Sequence, residues 1–162
     1  MKQRLAVLSG VALVGAVWVS LAAADVGLIL RKAVMSVGEP MTVWGSCYRM
    51  PVYLVKNAYA KRARIYEDTP AVARPPTSRA FRLLGRMVCT GRMHYVGHYP
   101  DGDWSSWNGY LRFRVPRVAP GVYQLVVFCD PCHRGRGGTL IINNWLWRGS
   151  RRVGATALSI RP

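Results

Sequence analysis

Acidic side chains are scarce in this 162-residue sequence: seven Asp and Glu stand against 23 Lys and Arg, for a formal net charge of +16. The chain also has only three histidines, and no grouping of Ser, His and Asp is legible in it. Acid–base and nucleophilic catalysis need such groups placed together. The sequence therefore predicts no enzyme, no catalytic residue, no metal site and no cofactor.

The sequence also has no internal repeat, and it has no strong helical periodicity after its N-terminal apolar segment. Lys2 and Arg4 precede an apolar run, residues 5–24, that ends in an Ala-x-Ala pattern. These are the three parts of a secretory signal, although a run of this length also suffices to span a bilayer. We predict that residues 1–24 are a signal peptide or a helical membrane anchor, and that residues 25–162 form one domain outside the cytoplasm.

Short runs of β-type residues separated by turn signals fill most of that domain, and they predict an all-β fold, an antiparallel sandwich of about seven strands. The predicted strands cover residues 28–35, 41–48, 52–56, 81–89, 93–99, 110–115, 122–129 and 139–147. Asn108-Gly109 predicts a hairpin turn. Residues 57–80 are basic and then proline-rich, which indicates an insertion with one or two helical turns.

Basic residues on one strand and one loop are the candidate binding groups. In residues 110–115 Leu111, Phe113 and Val115 alternate with Tyr110, Arg112 and Arg114, which predicts a half-buried strand with an arginine-bearing outer face. Arg134 and Arg136 lie in a glycine-rich loop. Arginine pairs well with phosphate and carboxylate, so we predict anion binding by Arg112, Arg114, Arg134 and Arg136. The expected partner is an anionic envelope polymer, a membrane surface or another envelope protein, and export argues against nucleic acid.

Two segments carry a resemblance. "VGEPMTVWGSC", followed later by "LRFRVPRVAPGVYQLVVFC", resembles the exported bacterial Ig-like β-sandwich domains, with V-x-V-x-G, then V-P, Pro-Gly-x-Tyr and a cysteine-bearing strand. The resemblance covers mainly residues 36–56 and 110–130. It implies an adhesive, structural or binding role at the cell surface, and a disulfide that joins the strand ending at Cys47 to the strand of Cys129.

Four cysteines follow the leader, an even number that predicts two disulfides in an exported domain. They are Cys47, Cys89, Cys129 and Cys132. Sheet geometry favours Cys47 with Cys129 or Cys132, which leaves Cys89 for the other. The rival pairing is Cys129 with Cys132 and Cys47 with Cys89.

Two other functions stay open for the Cys-x-x-Cys pair at 129–132. A thiol–disulfide enzyme uses such a pair, usually at a helix N-terminus, whereas this pair follows a strand. A small zinc module would combine Cys89, Cys129, Cys132 and His133, but structural zinc sites more often use two cysteine knuckles. Trp104, Trp107, Trp145, Trp147 and Tyr110 either fill the core or form an exposed aromatic face. We predict a non-catalytic structural or binding domain at the cell envelope.

Overall fold

The computed structural model describes residues 27–46, 49–65, 74–98, 104–130 and 138–162, and most of these residues lie in β-strands. One short helix, α1 (Asn57–Arg62), follows the fourth strand. In the described residues the strands are β1 (Leu28–Leu30), β2 (Val34–Ser36), β3 (Pro40–Gly45), β4 (Pro51–Lys56), β5 (Phe81–Arg86), β6 (Val88–His98), β7 (Trp104–Arg114), β8 (Gly121–Cys129), β9 (Thr139–Ile141), β10 (Asn144–Arg148), β11 (Arg151–Ala155) and β12 (Leu158–Arg161). The all-β class is confirmed.

The strands form two mixed sheets. The first has the order β1-β10-β11-β6-β7-β3 and closes on itself because β3 also pairs with β1. The second has the order β2-β12-β8-β4-β5, and β9 pairs with β8 beside it. The long hairpin-like pairing of β6 with β7 and the pairing of β3 with β7 dominate the first sheet, while β4 and β8 form the centre of the second.

The prediction of a purely antiparallel sandwich of about seven strands is wrong in two respects. Twelve strands occur in the described residues, and three of the pairings are parallel: β1 with β10, β6 with β11, and β2 with β12. Parallel partners must lie far apart in the chain, so no local turn signal announces them. The predicted turn at Asn108-Gly109 is also wrong, because both residues lie inside β7. The predicted N-terminal helix falls in residues 1–24, outside the described residues.

The first hydrophobic core lies between the two sheets. Leu28, Val43 and Leu111 come to it from the first sheet, and Leu54 and Leu125 from the second. The alternation predicted for residues 110–115 is confirmed, since Leu111, Phe113 and Val115 all pack in or against this core. Strand β8 has apolar residues on both faces because it also contributes Val126 and Phe128 to a second core, on the outer face of its sheet. This explains its nearly unbroken apolar sequence.

Helix α1 packs on that second core. It lies at the start of the 57–80 insertion, for which one or two helical turns were predicted. Ala60 and the following Ile65 are buried against the outer face of the second sheet. The helix ends through two backbone hydrogen bonds, from Ile65 N to Ala60 O (3.0 Å) and from Arg64 N to Lys61 O (3.1 Å), with Arg64 in the left-handed conformation at φ 52°. This is the Schellman arrangement of a helix C-terminus, and it fixes where the chain leaves the helix.

Candidate anion-binding site

A pocket of about 450 Å³ lies at one end of the second sheet, next to α1. Its inner wall is apolar: Leu54 of β4 and Tyr123 of β8 are both buried side chains that also belong to the first core. Val118 and Ala119, in the connection between β7 and β8, line another side. The volume lies within the range of small-molecule sites in proteins.

Four exposed basic side chains line the same pocket, and we call this site the basic pocket. Lys56 is the last residue of β4 and lies opposite Tyr123 of β8. Arg82 of β5 lies opposite Leu54 of β4. Arg62 ends α1, and Arg79 lies in the turn before β5. Two stretches of chain, residues 56–62 and 79–82, therefore bring their positive charges to one concave surface.

The turn that presents Arg79 is held by its own hydrogen bonds. Phe81 N donates to Ser78 O at 2.9 Å, and Ala80 N donates to Ser78 Oγ at 3.3 Å. Local bonds of this kind, from a backbone N–H to a serine hydroxyl oxygen, stabilise turns. The Phe81 ring then anchors the start of β5 through edge-on contacts with Tyr53 and Tyr59, at centroid distances of 6.0 and 5.7 Å. Arg79 and Arg82 thus flank an anchored residue.

No carboxylate lines the basic pocket among the residues that the structure describes. Within that part of the chain only two residues are acidic, Glu39 and Asp130. Glu39 is engaged elsewhere, in an ion pair with Lys32 at 2.9 Å. The hydrogen bond from Lys32, followed by that from Ser36 N, lowers the pKa of Glu39. The charge of the basic pocket is therefore not neutralised by a described acidic side chain.

The charged side chains that line the basic pocket are hydrogen-bond donors only. Lysine and arginine donate hydrogen bonds and accept none, and the remaining side chains of the pocket belong to Leu, Ala, Val and Tyr. Arg62 lies over the Tyr59 ring at 5.8 Å, a cation–π contact. A group that fits this lining carries hydrogen-bond acceptors and negative charge.

The wall formed by Val118 and Ala119 is tied to β8. The hydroxyl of Tyr123 donates a hydrogen bond of 2.6 Å to Ala119 O, which closes the turn at residues 116–121 onto the strand that follows it. Burial raises the pKa of the Tyr123 hydroxyl above its ordinary value. The protonated hydroxyl is the form that donates this bond.

Three amide side chains connect the basic pocket to the first sheet. Gln124 Nε2 donates to Asn57 Oδ1 at 3.0 Å, and Asn144 Nδ2 donates to Gln124 Oε1 at 3.1 Å. Asn144 Nδ2 also donates to Leu125 O at 3.0 Å, and Asn144 is only 4% exposed. This amide chain links α1, β8 and β10.

The anion-binding residues predicted from sequence lie apart from the basic pocket. Arg112 and Arg114 are exposed on β7, as the alternation predicted, but neither lines the pocket. Arg112 lies over the Tyr110 ring at 5.3 Å, and Arg114 donates to Gly38 O at 3.1 Å. Arg134 and Arg136 fall in residues 131–137, outside the described residues. Their anion binding stays a prediction.

Four of the tryptophans form a third cluster, on strands of the first sheet. Trp147 is 1% exposed, and Trp44, Trp107 and Trp145 pack against it and Ile29. The ring faces at the edge of this cluster already hold basic groups. Arg152 lies 4.2 Å from the Trp145 centroid, Arg31 lies 5.9 Å from that of Trp44, and His94 stacks on Trp107 at 4.3 Å. These contacts fit packing, the first of the two uses expected for the tryptophans.

Cys129 points into the first core with Tyr123, Leu125 and Val127, as the parity of the strand predicted, and it is 0% exposed. Cys89 lies on β6 opposite Gly109 and is exposed. Neither of these two cysteines is a free thiol. Cys47 and Cys132 lie outside the described residues, so the pairing stays a prediction.

No group of three or more His, Cys, Asp and Glu side chains placed to hold a metal ion occurs in the described part of the chain. His133, which the zinc reading would use, lies outside it. Within the described ranges no helix is long and apolar enough to cross a membrane.

Sequence reasoning missed the residues of the basic pocket: Lys56, Arg62, Arg79 and Arg82. The available signal was the position of basic residues at both ends of the 57–80 insertion, next to strands that pair with each other. Comparisons with protein-family models, with curated proteins and with solved structures find no match.

Proposed function

We propose that this chain is a non-catalytic module, exported or membrane-tethered, that binds anionic groups at the cell envelope through the basic pocket. The observation that supports the proposal is a concave site with four exposed basic side chains and no described carboxylate. Charge-assisted hydrogen bonds from arginine and lysine to phosphate or carboxylate oxygens are stronger than neutral ones. The net charge of the whole chain adds long-range attraction for such ligands.

We also retain the Ig-like resemblance as a proposal about the architecture. The bond from the Tyr123 hydroxyl to the backbone of Ala119 supports it, because Ig-type sandwiches carry a tyrosine that bonds to the backbone a few residues upstream. The closed first sheet and the parallel strand pairs depart from the regular Ig arrangement. The resemblance implies, among other roles, a binding role, and ligand titration of the basic pocket tests that role.

Calorimetric titration with tripolyphosphate, a small multivalent anion, tests the proposed function. The variant Arg79→Gln/Arg82→Gln removes two rim charges whose side chains make no hydrogen bond or ion pair with other described residues. We expect one-to-one binding in the unchanged protein and affinity about tenfold weaker or more in this variant, since hydrogen bonds to charged groups contribute about 1.5–3 kcal/mol each.

The matched control is Arg148→Gln/Arg151→Gln, which removes the same charge from two exposed arginines that face each other across β10 and β11. We expect it to keep the affinity within about twofold, as a screened long-range effect allows. Equal losses in the two variants would mean that tripolyphosphate responds to net charge alone. A third variant, Arg112→Gln/Arg114→Gln, shows whether the site predicted from sequence contributes.

A further inference from the structure

We propose, on the basis of the proposed function, that the ligand of the basic pocket is an anionic amphiphile: a phosphate monoester attached to a single apolar chain. The proposal adds a chemical class to the anion. It follows from the way in which charge and apolar surface are separated within this one pocket.

Buried apolar side chains form the floor of the basic pocket, and four exposed basic side chains lie around it. Leu54 and Tyr123 are 2% and 4% exposed, and Val118 packs against the same core. The four basic residues of the pocket are exposed: Lys56, Arg62, Arg79 and Arg82. The pocket thus combines a buried apolar floor with accessible apolar walls, because Val118 is half-buried and Ala58 and Ala119 are exposed. Covering apolar surface with an apolar group stabilises a complex in proportion to the area removed from water.

A simple inorganic anion satisfies only the rim. It would pair with the arginines and leave the accessible apolar side chains of Ala58, Val118 and Ala119 in contact with water. An apolar chain joined to the phosphate covers that surface while the phosphate stays between the basic heads. The complementarity therefore concerns both charge and hydrophobicity.

A sugar headgroup fits the lining less well. Sugar hydroxyls need acceptors as well as donors, and the charged side chains of the described lining only donate. Stacking of a sugar needs an open aromatic face, and the Tyr59 ring already holds Arg62 on its face and Phe81 at its edge. The dianion of a phosphate monoester carries acceptors alone and needs no aromatic face.

Titrations with three probes separate the parts of this proposal: octyl phosphate, inorganic phosphate and octyl glucoside, each below the concentration at which it aggregates. We expect octyl phosphate to bind at least tenfold more tightly than inorganic phosphate, and at least tenfold more tightly than octyl glucoside. Arg79→Gln/Arg82→Gln should weaken the binding of both phosphates.

Val118→Ser should weaken octyl phosphate binding severalfold and leave inorganic phosphate unchanged. Its matched control, Val122→Ser, replaces an exposed valine on β8 that does not line the pocket, and it should change neither affinity. Circular dichroism of both variants establishes that they fold.

The outcomes distinguish this inference from the proposed function. Equal affinity for octyl phosphate and inorganic phosphate would overturn the amphiphile while anion binding stands. Equal affinity for octyl phosphate and octyl glucoside would show that the chain alone is recognised, which contradicts both. Failure of octyl phosphate, inorganic phosphate and tripolyphosphate to bind would overturn the proposed function itself.

Discussion

Gln124 Nε2 donates a hydrogen bond of 3.0 Å to Asn57 Oδ1, so a side chain of strand β8 holds the first residue of helix α1. The same Gln124 accepts a hydrogen bond from the buried Asn144 on β10. One glutamine thus connects both sheets to the helix that carries Arg62 into the basic pocket. The hydrogen bond between Gln124 and Asn57 is partly removed from water.

The first prediction concerns this glutamine. Gln124→Ala removes the donor to Asn57 and one acceptor of Asn144, and we expect a loss of about 1–3 kcal/mol in the free energy of unfolding. Urea denaturation measures it. Asn57→Ala alone breaks one of the two bonds and should cost less. In the double variant the Asn57 substitution should add little, because its partner is already gone; full additivity would contradict the contact.

The second prediction concerns the end of α1. Arg64 adopts φ 52°, a left-handed conformation that costs a residue with a Cβ atom about 1–2 kcal/mol. Arg64→Gly should therefore stabilise the protein by up to about 1 kcal/mol and raise its melting temperature. Lys61→Gly, an exposed lysine inside the same helix, should destabilise by about 1 kcal/mol. If both glycines destabilise equally, the helix does not end at this residue in solution.

The third prediction concerns alkaline pH. Burial raises the pKa of Tyr53 and of Tyr123 in the folded protein, above the value of about 10 for an unfolded tyrosine. Their contribution is fully present below that value and is lost as pH rises through the folded pKa, because only the unfolded state ionises readily there. Stability should fall above about pH 10. Tyr53→Phe should show a shallower fall, and an identical slope would argue against the raised pKa.

The sequence was sufficient for the parts of the fold that local pattern determines. The alternation of Leu111, Phe113 and Val115 and the core-facing parity of Cys129 are both confirmed. The helical turn at the start of the insertion is also confirmed, in the alanine- and lysine-containing residues of α1. Each of these depends on a period of two residues or on intrinsic helix preference, which a single sequence displays directly.

The pairing of strands that lie far apart in the chain could not be predicted from the sequence. β1 lies beside β10 and β2 beside β12, and nothing near Leu28 or Val34 in the chain indicates partners more than one hundred residues away. The Asn108-Gly109 dipeptide has the composition of a turn, but pairing with both β3 and β6 holds Gly109 in an extended strand. Tertiary pairing overrides local preference at this position.

The same limit explains why the basic pocket was missed. Lys56 and Arg82 are separated by the whole insertion, and they come together only because β4 pairs with β5 on one side and with β8 on the other. The sequence placed the candidate arginines on β7, where alternation made them visible. The sequence shows that the insertion is basic, but it does not show that the strands before and after the insertion pair with each other.

The measurement that tests the central claim most directly is a titration of the isotope-labelled protein with tripolyphosphate, followed by the backbone amide signals in nuclear magnetic resonance spectra. Anion binding in the basic pocket predicts saturable shifts concentrated in residues 56–62, 79–82 and 118–119, and their loss in the Arg79→Gln/Arg82→Gln variant. Shifts centred on Arg112 and Arg114, or small shifts spread evenly over all exposed arginines, would contradict it.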